Sequence, residues 1–225
     1  MLSAAIDNQS QADRALAELC RAYWRPLYAF VRRRGYAPQD AEDLTQEFFA
    51  RLLEKRYLSR ADPAKGRFRS FLLSAIKYFL ADEYDRQQAQ KRGGRVATLA
   101  LPFQQAEQIW NRQPQSDETP EKIFEREWAL TLLSRVTTSL RESFEREGRA
   151  ADFERLKHFL PGQESHLSYA DAALQLGVSE GAAKVAIHRL RRRYRETLHA
   201  EIAHTVENPR DVDSEIRYLL QALAS

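Results

Sequence analysis

The sequence is poor in the residues that build disulfide-bonded, zinc-binding or membrane-spanning proteins. Cys20 is the only cysteine, which excludes an internal disulfide and a cysteine-rich zinc site. The five histidines are scattered, and His199 and His204 have no thiol or carboxylate beside them at metal-binding spacing. No apolar run approaches the roughly 18 residues of a membrane span, and the first residues do not resemble a secretory signal. We therefore expect a cytoplasmic protein without a metal, a cofactor or a membrane partner.

Signals for β-strands are also scarce. The sequence has no sustained alternation of polar and apolar residues and little Val or Ile, whereas helical spacing recurs nearly everywhere. A chain of 225 residues with 43% hydrophobic content can bury one or two modest cores. The pattern predicts an all-α protein. Its helices are expected at about 13–34, 38–56, 68–90, from 120 onward in two apolar stripes ending before 161, at 167–176, from 180 onward, and at 211–224.

The composition changes between residues 91 and 119. Gly93, Gly94, Pro102, Pro114 and several glutamines displace the helical periodicity there, which is typical of an extended linker. Pro at position 120 then suits the start of a helix, where its missing N–H is not needed. We expect two helical domains, at 12–90 and 121–205, joined by a flexible linker at 91–120, with a C-terminal helical extension at 206–225.

Residues 167–195 have the pattern of a helix-turn-helix. Gly177 ends one apolar-periodic segment and Ser179 is placed to cap the next helix, whose buried stripe is expected to be Ala183, Ile187, Leu190, Tyr194, Leu198 and Ile202. Six Lys or Arg and no Asp or Glu lie between Lys184 and Arg195. Such a charged face on the second helix is typical of a DNA-recognition helix, and a merely solvated helix face is the alternative.

A cluster of acids opens the second predicted helix: Asp40, Glu42, Asp43 and Glu47. Acids near a helix N-terminus are favoured by the helix dipole, so the cluster has a purely structural interpretation. A functional interpretation is a polar docking surface for a basic partner, since Asp43, Gln46 and Glu47 face away from the apolar stripe. A two-metal carboxylate site is a weaker alternative, because no histidine joins the acids.

The third predicted helix interleaves basic and aromatic residues. Bases of single-stranded nucleic acid can stack on aromatic rings while phosphates lie along positive charge. We expect Phe68, Phe71 and Phe79 to belong to an aromatic core, which leaves Tyr78 and the residues after it for contact with bases.

Three segments together resemble bacterial RNA polymerase sigma factors of the extracytoplasmic-function group in the sigma-70 family. They are YWRPLYAFVRRRGYAPQDAEDLTQEFFARLLEK, FRSFLLSAIKYFLADEYDRQ and LSYADAALQLGVSEGAAKVAIHRLRRRYRETL. The resemblance implies a sigma-2 domain followed by a sigma-4 domain, with no sigma-3 domain between them. It implies a protein without catalytic activity that binds core RNA polymerase, recognises minus-thirty-five and minus-ten promoter elements, and assists promoter melting. Its partners would be the clamp helices of the largest polymerase subunit, the flap of the second-largest subunit, and promoter DNA.

The resemblance also implies roles for individual residues. Core polymerase would be bound by Asp43, Gln46, Glu47 and Phe48, and minus-ten DNA by Lys77, Tyr78, Asp82, Glu83 and Arg86. Minus-thirty-five DNA would be contacted by Ser179, Lys184, Val185, His188, Arg189 and Arg192. Of these, Lys184, Val185, His188 and Arg189 would face the major groove, whereas Arg192, together with Arg193 and Tyr169, is better suited to phosphates. Phe71 stands where the family commonly has Trp, Tyr78 where it has Asn, and Ala-Ala-Lys-Val where it has Thr-Val-Lys-Ser. The promoter sequence therefore does not follow from the resemblance.

The sequence does not show how the protein is regulated. Many relatives are held by an anti-sigma factor, and phosphorylation of Thr45 by a Ser/Thr kinase would add nearly two negative charges beside Asp43 and Glu47. The helix after Asp211 could act as an internal brake or only extend the fold. The alternative function is a stand-alone helix-turn-helix regulator, and a metal-dependent enzyme is a third class. Neither uses both basic segments.

Overall fold

The computed structural model describes residues 22–53, 67–89, 101–112, 117–162, 167–206 and 208–224, and all regular structure in these ranges is helical. The prediction of an all-α protein is confirmed. The helices are α1 (described over 22–33), α2 (Pro38–Leu53), α3 (Phe68–Ala89), α4 (Phe103–Arg112), α5 (Pro120–Arg146), α6 (Ala150–Leu156), α7 (Tyr169–Leu176), α8 (Glu180–Ala203) and α9 (Val212–Ala224). Short 3-10 turns occupy Lys157–Phe159 and Pro209–Asp211.

Helices α1, α2 and α3 share an aromatic core. Phe30 of α1, Phe48 of α2 and Phe79 of α3 are completely buried, and the rings of Phe48 and Phe79 lie 5.6 Å apart, edge to face. Apolar residues recur every three to four positions in each helix, so one face of each can enter the shared core. This core fixes the relative placement of α2 and α3, which carry two of the predicted sites.

Helix α4 lies within the segment expected to be an extended linker. Phe103 packs its ring 5.2 Å from Trp24, and Glu107 accepts hydrogen bonds from Tyr28 (2.5 Å) and Arg32 Nε (3.0 Å). The expectation of an extended chain is therefore wrong for residues 103–112. One helical face is anchored on α1 by these contacts, and the apolar stripe is too short to stand out among the prolines and glutamines around it. Of the predicted linker, residues 91–100 and 113–116 lie outside the described residues.

Helix α5 contacts α1 and α3 as well as α6 and α8. Thr119 caps it and Pro120 occupies its first turn, as the sequence predicts. In its N-terminal half, Trp128 Nε1 donates to the Tyr23 hydroxyl (3.3 Å), while Phe144 near its C-terminus contacts Phe153 of α6. With 27 residues, α5 is about 40 Å long, which lets it pack against α1 and α3 at one end and against α6 and α8 at the other.

The helix-turn-helix forms as predicted. Ser168 and Asp171 make a capping box at the start of α7, Gly177 ends α7 with φ 67°, and the Ser179 side chain accepts from the Ala182 amide. The positive φ at position 177 explains the glycine, since residues with a side chain rarely adopt it. All six residues expected in the buried stripe of α8 are buried: Ala183, Ile187, Leu190, Tyr194, Leu198 and Ile202.

Helix α9 confirms the predicted C-terminal helix. It packs against α5 and α8 and buries Val212, Leu219 and Ala222. Its Glu215 also reaches the start of α3. The buried residues of the described chain thus form one continuous cluster, shared through α5 and α9, whereas the division into two separate domains stays a prediction. None of the helices in the described ranges is long and apolar enough to cross a membrane.

Candidate nucleic-acid interface

The polar face of α2 is exposed only in part. Asp43 is exposed, Gln46 and Glu47 are half-buried, and Gln46 donates to Glu42 (3.2 Å). These side chains can offer carboxylates to a basic partner. Phe48, however, is completely buried against Phe49 and Phe79, so its predicted place on a docking surface is wrong. Phe48 belongs to the apolar stripe of α2, where it packs α2 against Phe79 of α3.

Thr45 is completely buried as well. Its hydroxyl donates a 2.6 Å hydrogen bond to the Ala41 carbonyl, one turn earlier in α2. The expectation that Thr45 lies on the same exposed face as Asp43 and Glu47 is therefore wrong. The buried stripe of α2 is wider than the Leu44, Phe48, Leu52 spacing suggests, because Ala41, Thr45 and Phe49 are buried as well. Phosphorylation of Thr45 stays a prediction, and it requires α2 to open locally.

Helix α3 presents three of the predicted minus-ten residues on one face. Tyr78 is 76% exposed, and the side chains of Asp82 and Arg86 are 53% and 58% exposed. Their spacing of four residues places them one above another on the helix surface, and Arg86 pairs with Asp82 at 3.4 Å. An exposed aromatic ring beside a guanidinium and a carboxylate can stack on a base, bind a phosphate and accept from a base amine.

The other two predicted minus-ten residues are already engaged. Lys77 binds Glu121 of α5 at 2.6 Å, and this hydrogen bond holds the pKa of Glu121 below its usual range. Glu83 is largely buried, with a side chain only 13% exposed, and binds Arg86 at 3.1 Å. Lys77 can exchange its partner because both side chains remain partly exposed. Glu83 is better placed to orient neighbouring side chains than to contact DNA.

Arg51 is the site residue that sequence reasoning missed. It lies in α2, binds Glu47 one turn earlier, and reaches across to Glu83 of α3 at 2.5 Å and to Asp82 at 3.6 Å. Burial alone would lower the pKa of Arg51, but its hydrogen bonds to Glu83 and Glu47 raise it above the ordinary value. One guanidinium therefore links the predicted docking helix to the predicted minus-ten helix. Only the spacing of Glu47 and Arg51 could have indicated part of this arrangement.

The exposed face of α8 carries the predicted minus-thirty-five residues. Val185 is 50% exposed, and His188, Arg189 and Arg192 are exposed beside it. Ser179 uses its oxygen as the helix cap, which leaves its hydroxyl proton free to be donated. The structure thus brings these predicted contacts to one helix face.

Lys184 is held in place by two neighbours. Its ammonium binds Glu180 at 2.8 Å, which raises the pKa of Lys184, and lies 5.5 Å from the centre of the Tyr169 ring. The Tyr169 ring in turn stacks parallel to Phe159 at 6.4 Å. All of these polar groups are at the surface, so Lys184 can leave Glu180 for a guanine edge at modest cost.

Two arginines of the basic run are structural. Arg193 donates to Ser143 and Glu147 of α5 and lies over the Phe144 ring at 4.5 Å, and Arg191 donates to the Phe159 carbonyl at 2.9 Å. The expectation that Arg193 contacts phosphate is therefore not supported by its placement. Its planar guanidinium fixes α8 to the end of α5.

A groove of about 400 Å³ runs along α8 where it faces α5 and α6. Val185, Arg189 and Arg192 lie on its α8 side, and Arg149 lies opposite them. Arg149 is paired there with Asp152 at 3.1 Å and lies 3.7 Å from Glu147, so the positive charge of the groove lies mainly on α8. In the part of the chain that the structure describes, no group of three or more His, Cys, Asp or Glu could hold a metal ion, and the acids of α2 form no such group.

Two comparisons with known proteins found a family model and a relative that this chain resembles. A family model described as sigma-70 region 2 matches residues 19–90, the part that contains α1, α2 and α3. The chain is similar to the ECF RNA polymerase sigma factor SigE of Mycolicibacterium smegmatis (strain ATCC 700084 / mc(2)155), with 28% identity over 191 residues. That alignment covers 85% of this chain and 64% of the relative, so the chain spans less than two thirds of the relative's length. No solved structure matches the chain.

Proposed function

We propose that the chain is a sigma factor of the sigma-70 family, in the extracytoplasmic-function group, which binds core RNA polymerase and directs transcription initiation at specific promoters. The observation that carries the proposal is the pairing of two surfaces suited to nucleic acid, on α3 and on α8, with an acidic helix joined to α3 by Arg51. A stand-alone helix-turn-helix regulator would use only the α8 surface. That alternative leaves the α3 face and the α2 acids unexplained.

Core polymerase docks on α2 in this proposal. Asp43, Gln46 and Glu47 offer polar groups to basic side chains on the clamp helices of the largest subunit, while Phe48 keeps α2 seated on α3. The flap of the second-largest subunit would contact the helix-turn-helix half. Initiation in this scheme requires no cofactor and no catalytic residue of the chain.

The exposed face of α3 receives the minus-ten element. Tyr78 stacks on an unpaired base, Arg86 binds the phosphate backbone, and Asp82 accepts a hydrogen bond from a base. Lys77 joins them once it leaves Glu121. Glu83 and Arg51 act as positioning residues, because they hold the α3 side chains in register with α2.

The exposed face of α8 reads the minus-thirty-five element in the major groove. Lys184, Val185, His188 and Arg189 face base edges, while Arg192 anchors the phosphates. Ser179, at the start of α8, donates its hydroxyl to a phosphate beside the groove. This division predicts sequence-specific effects for the first set and uniform effects for the second.

A binding experiment tests the docking surface. Core polymerase should bind Asp43→Lys at least about tenfold more weakly than wild type, since a favourable charge contact is replaced by repulsion. Glu142→Lys is the matched control, because Glu142 is exposed on α5 and lies on no proposed surface. Equal affinity of wild type and Asp43→Lys would exclude α2 as the docking element.

The remaining partners stay predictions. An anti-sigma factor and a Ser/Thr kinase are proposed regulators, and a cytoplasmic location follows from the proposed partner, the polymerase. Pull-down from cells that express the tagged protein, followed by identification of the bound chains, would test both partner classes.

A further inference from the structure

Two arginines at the start of α3 converge on one buried carboxylate of α9. Arg69 Nε donates to Glu215 at 2.6 Å, and Arg67 Nε lies 2.8 Å from the other oxygen of the same carboxylate. Glu215 is 1% exposed and Arg69 is 5% exposed. Charged groups are buried only when they are well paired, so this cluster is a built contact and not a chance meeting of surface side chains.

Further contacts surround the ion pair. The Tyr218 ring of α9 lies 3.7 Å from the Arg69 guanidinium carbon, and Ser214 accepts from Arg67 at 3.0 Å. The Phe68 amide, at the start of α3, donates to the Thr205 carbonyl after α8 at 3.4 Å. Helix α3 has no acidic residue in its own first turn, so Glu215 supplies the negative charge that a helix start favours.

We propose that α9 is an intramolecular clasp, which holds the start of α3 against the end of α8 and must open before the protein can engage a promoter. The clasp is defined as Arg67 and Arg69 on one side, and Ser214, Glu215 and Tyr218 on the other. The opening requirement rests on the proposed function, whereas the clasp itself rests only on the contacts given above.

Helix lengths show why the closed form cannot reach both promoter elements. Lys184 lies about 32 Å along α8 from Thr205, and Arg86 lies about 27 Å along α3 from Phe68. With Phe68 and Thr205 in contact, Lys184 and Arg86 are at most about 65 Å apart, even if the two helices lay end to end. Elements centred about 25 base pairs apart are separated by roughly 85 Å on straight DNA. The clasp, together with the contacts of α5 to α3 and α8, therefore opposes simultaneous contact with both elements.

Breaking the clasp should change the distance between α3 and the helix-turn-helix in the free protein. In a Cys20→Ser background, probes at Asp85→Cys and Leu174→Cys report on α3 and α7, at two exposed positions. Glu215→Gln removes the charge but keeps the shape of the side chain, and we expect the population with long inter-probe distances to rise at least about threefold. Asp213→Asn is the matched control, since Asp213 is exposed in the same helix.

A second variant guards against misfolding of the first. Arg67 is partly exposed, so Arg67→Gln should fold normally and shift the distances in the same direction, by less than Glu215→Gln. Far-ultraviolet circular dichroism establishes that each variant is folded. Distances unchanged from wild type in both folded variants would overturn the clasp.

Promoter binding tests the requirement for opening. In complex with core RNA polymerase, Glu215→Gln should bind a duplex that carries both promoter elements at least about threefold more tightly than wild type, because less free energy is spent on opening. Opening without tighter binding would overturn the braking role. If wild type fails to bind core polymerase at all, the proposed function is wrong, and the distances in the free chain still decide whether the clasp exists.

Discussion

Arg51 of α2 and Glu83 of α3 form a 2.5 Å ion pair between two helices that the proposed function assigns to different partners. Arg51 also binds Glu47 and lies over the Phe79 ring at 4.9 Å. The proposed polymerase contacts on α2 and the proposed DNA contacts on α3 therefore share one guanidinium. A shift of Glu47 on docking would be transmitted to Glu83 through a rigid, planar group.

Replacing Arg51 should affect protein stability, binding of core polymerase and promoter melting to different degrees. Arg51→Met keeps the length of the side chain but leaves Glu83 without its closest cation, so we expect the free energy of unfolding to fall by about 2 kcal/mol. Core polymerase should still bind within about threefold of wild type, whereas unpairing of promoter thymines, measured by permanganate reactivity, should fall at least about tenfold.

Arg146→Met is the matched control for this experiment, because Arg146 is exposed at the end of α5. Parallel losses of binding and melting in Arg51→Met would show that Arg51 is only structural. Arg51→Lys should restore more of the stability than of the promoter melting, since an ammonium cannot bridge Glu47 and Glu83 as a planar guanidinium does.

Thr45 provides a stability prediction that bears on phosphorylation. Thr45→Glu places a carboxylate in a completely buried position, so the free energy of unfolding should fall by about 3 kcal/mol, as measured by urea denaturation. Thr45→Val, which keeps the shape and loses only the hydrogen bond to Ala41, should cost about 1 kcal/mol or less. A Thr45→Glu variant as stable as wild type would mean that this side chain can reach solvent.

The two kinds of contact on α8 should differ in their sequence dependence. Lys184→Ala should weaken binding to some minus-thirty-five sequences by about 1–3 kcal/mol and leave others nearly unchanged. Arg192→Ala should weaken binding to all of them alike and reduce the slope of log affinity against log salt by about 1. Titration of a set of duplexes at several salt concentrations measures both quantities, and equal, sequence-independent losses would contradict the assignment of Lys184 to base contact.

Glu107 should make the attachment of α4 sensitive to acid. Burial would raise the pKa of Glu107, but hydrogen bonds from Arg32 and Tyr28 hold it below the ordinary value. A carboxylate whose pKa is lower in the folded state stabilises the protein above its unfolded-state pKa, and that stability is lost as the pH falls through the folded-state pKa.

Stability measured from pH 7 down to pH 3 should therefore fall less steeply in Glu107→Gln than in wild type. Glu142→Gln, an exposed substitution on α5, should keep the wild-type profile. Identical acid profiles for Glu107→Gln and wild type would indicate that the contact between α4 and α1 does not contribute to stability.

The helix-turn-helix was predictable because several local signals agree there. The Gly177 stop, the Ser179 cap and the stripe of α8 each depend on residues within a few positions of one another. Sequence periodicity reports such local relationships well. The exposed Tyr78 was predictable for the same reason, since it lies opposite the apolar side of α3.

Contacts between distant segments were not predictable in this way. Arg69 and Glu215 are separated by 146 positions, and nothing local to either residue indicates the other. The burial of Thr45 depends on how the rest of the fold covers α2, and α4 depends on an anchoring surface supplied by Trp24 and Tyr28. Each of these features is set by tertiary packing, which a single sequence does not reveal.

Run-off transcription with core RNA polymerase freed of other sigma factors tests the central claim most directly. Addition of the wild-type protein to a library of genomic fragments should produce transcripts from a limited set of start sites, each preceded by shared minus-thirty-five and minus-ten sequences. The same protein with Asp43→Lys should produce few of them. Transcripts that are unchanged by the protein, in number and in start site, would contradict the proposed function.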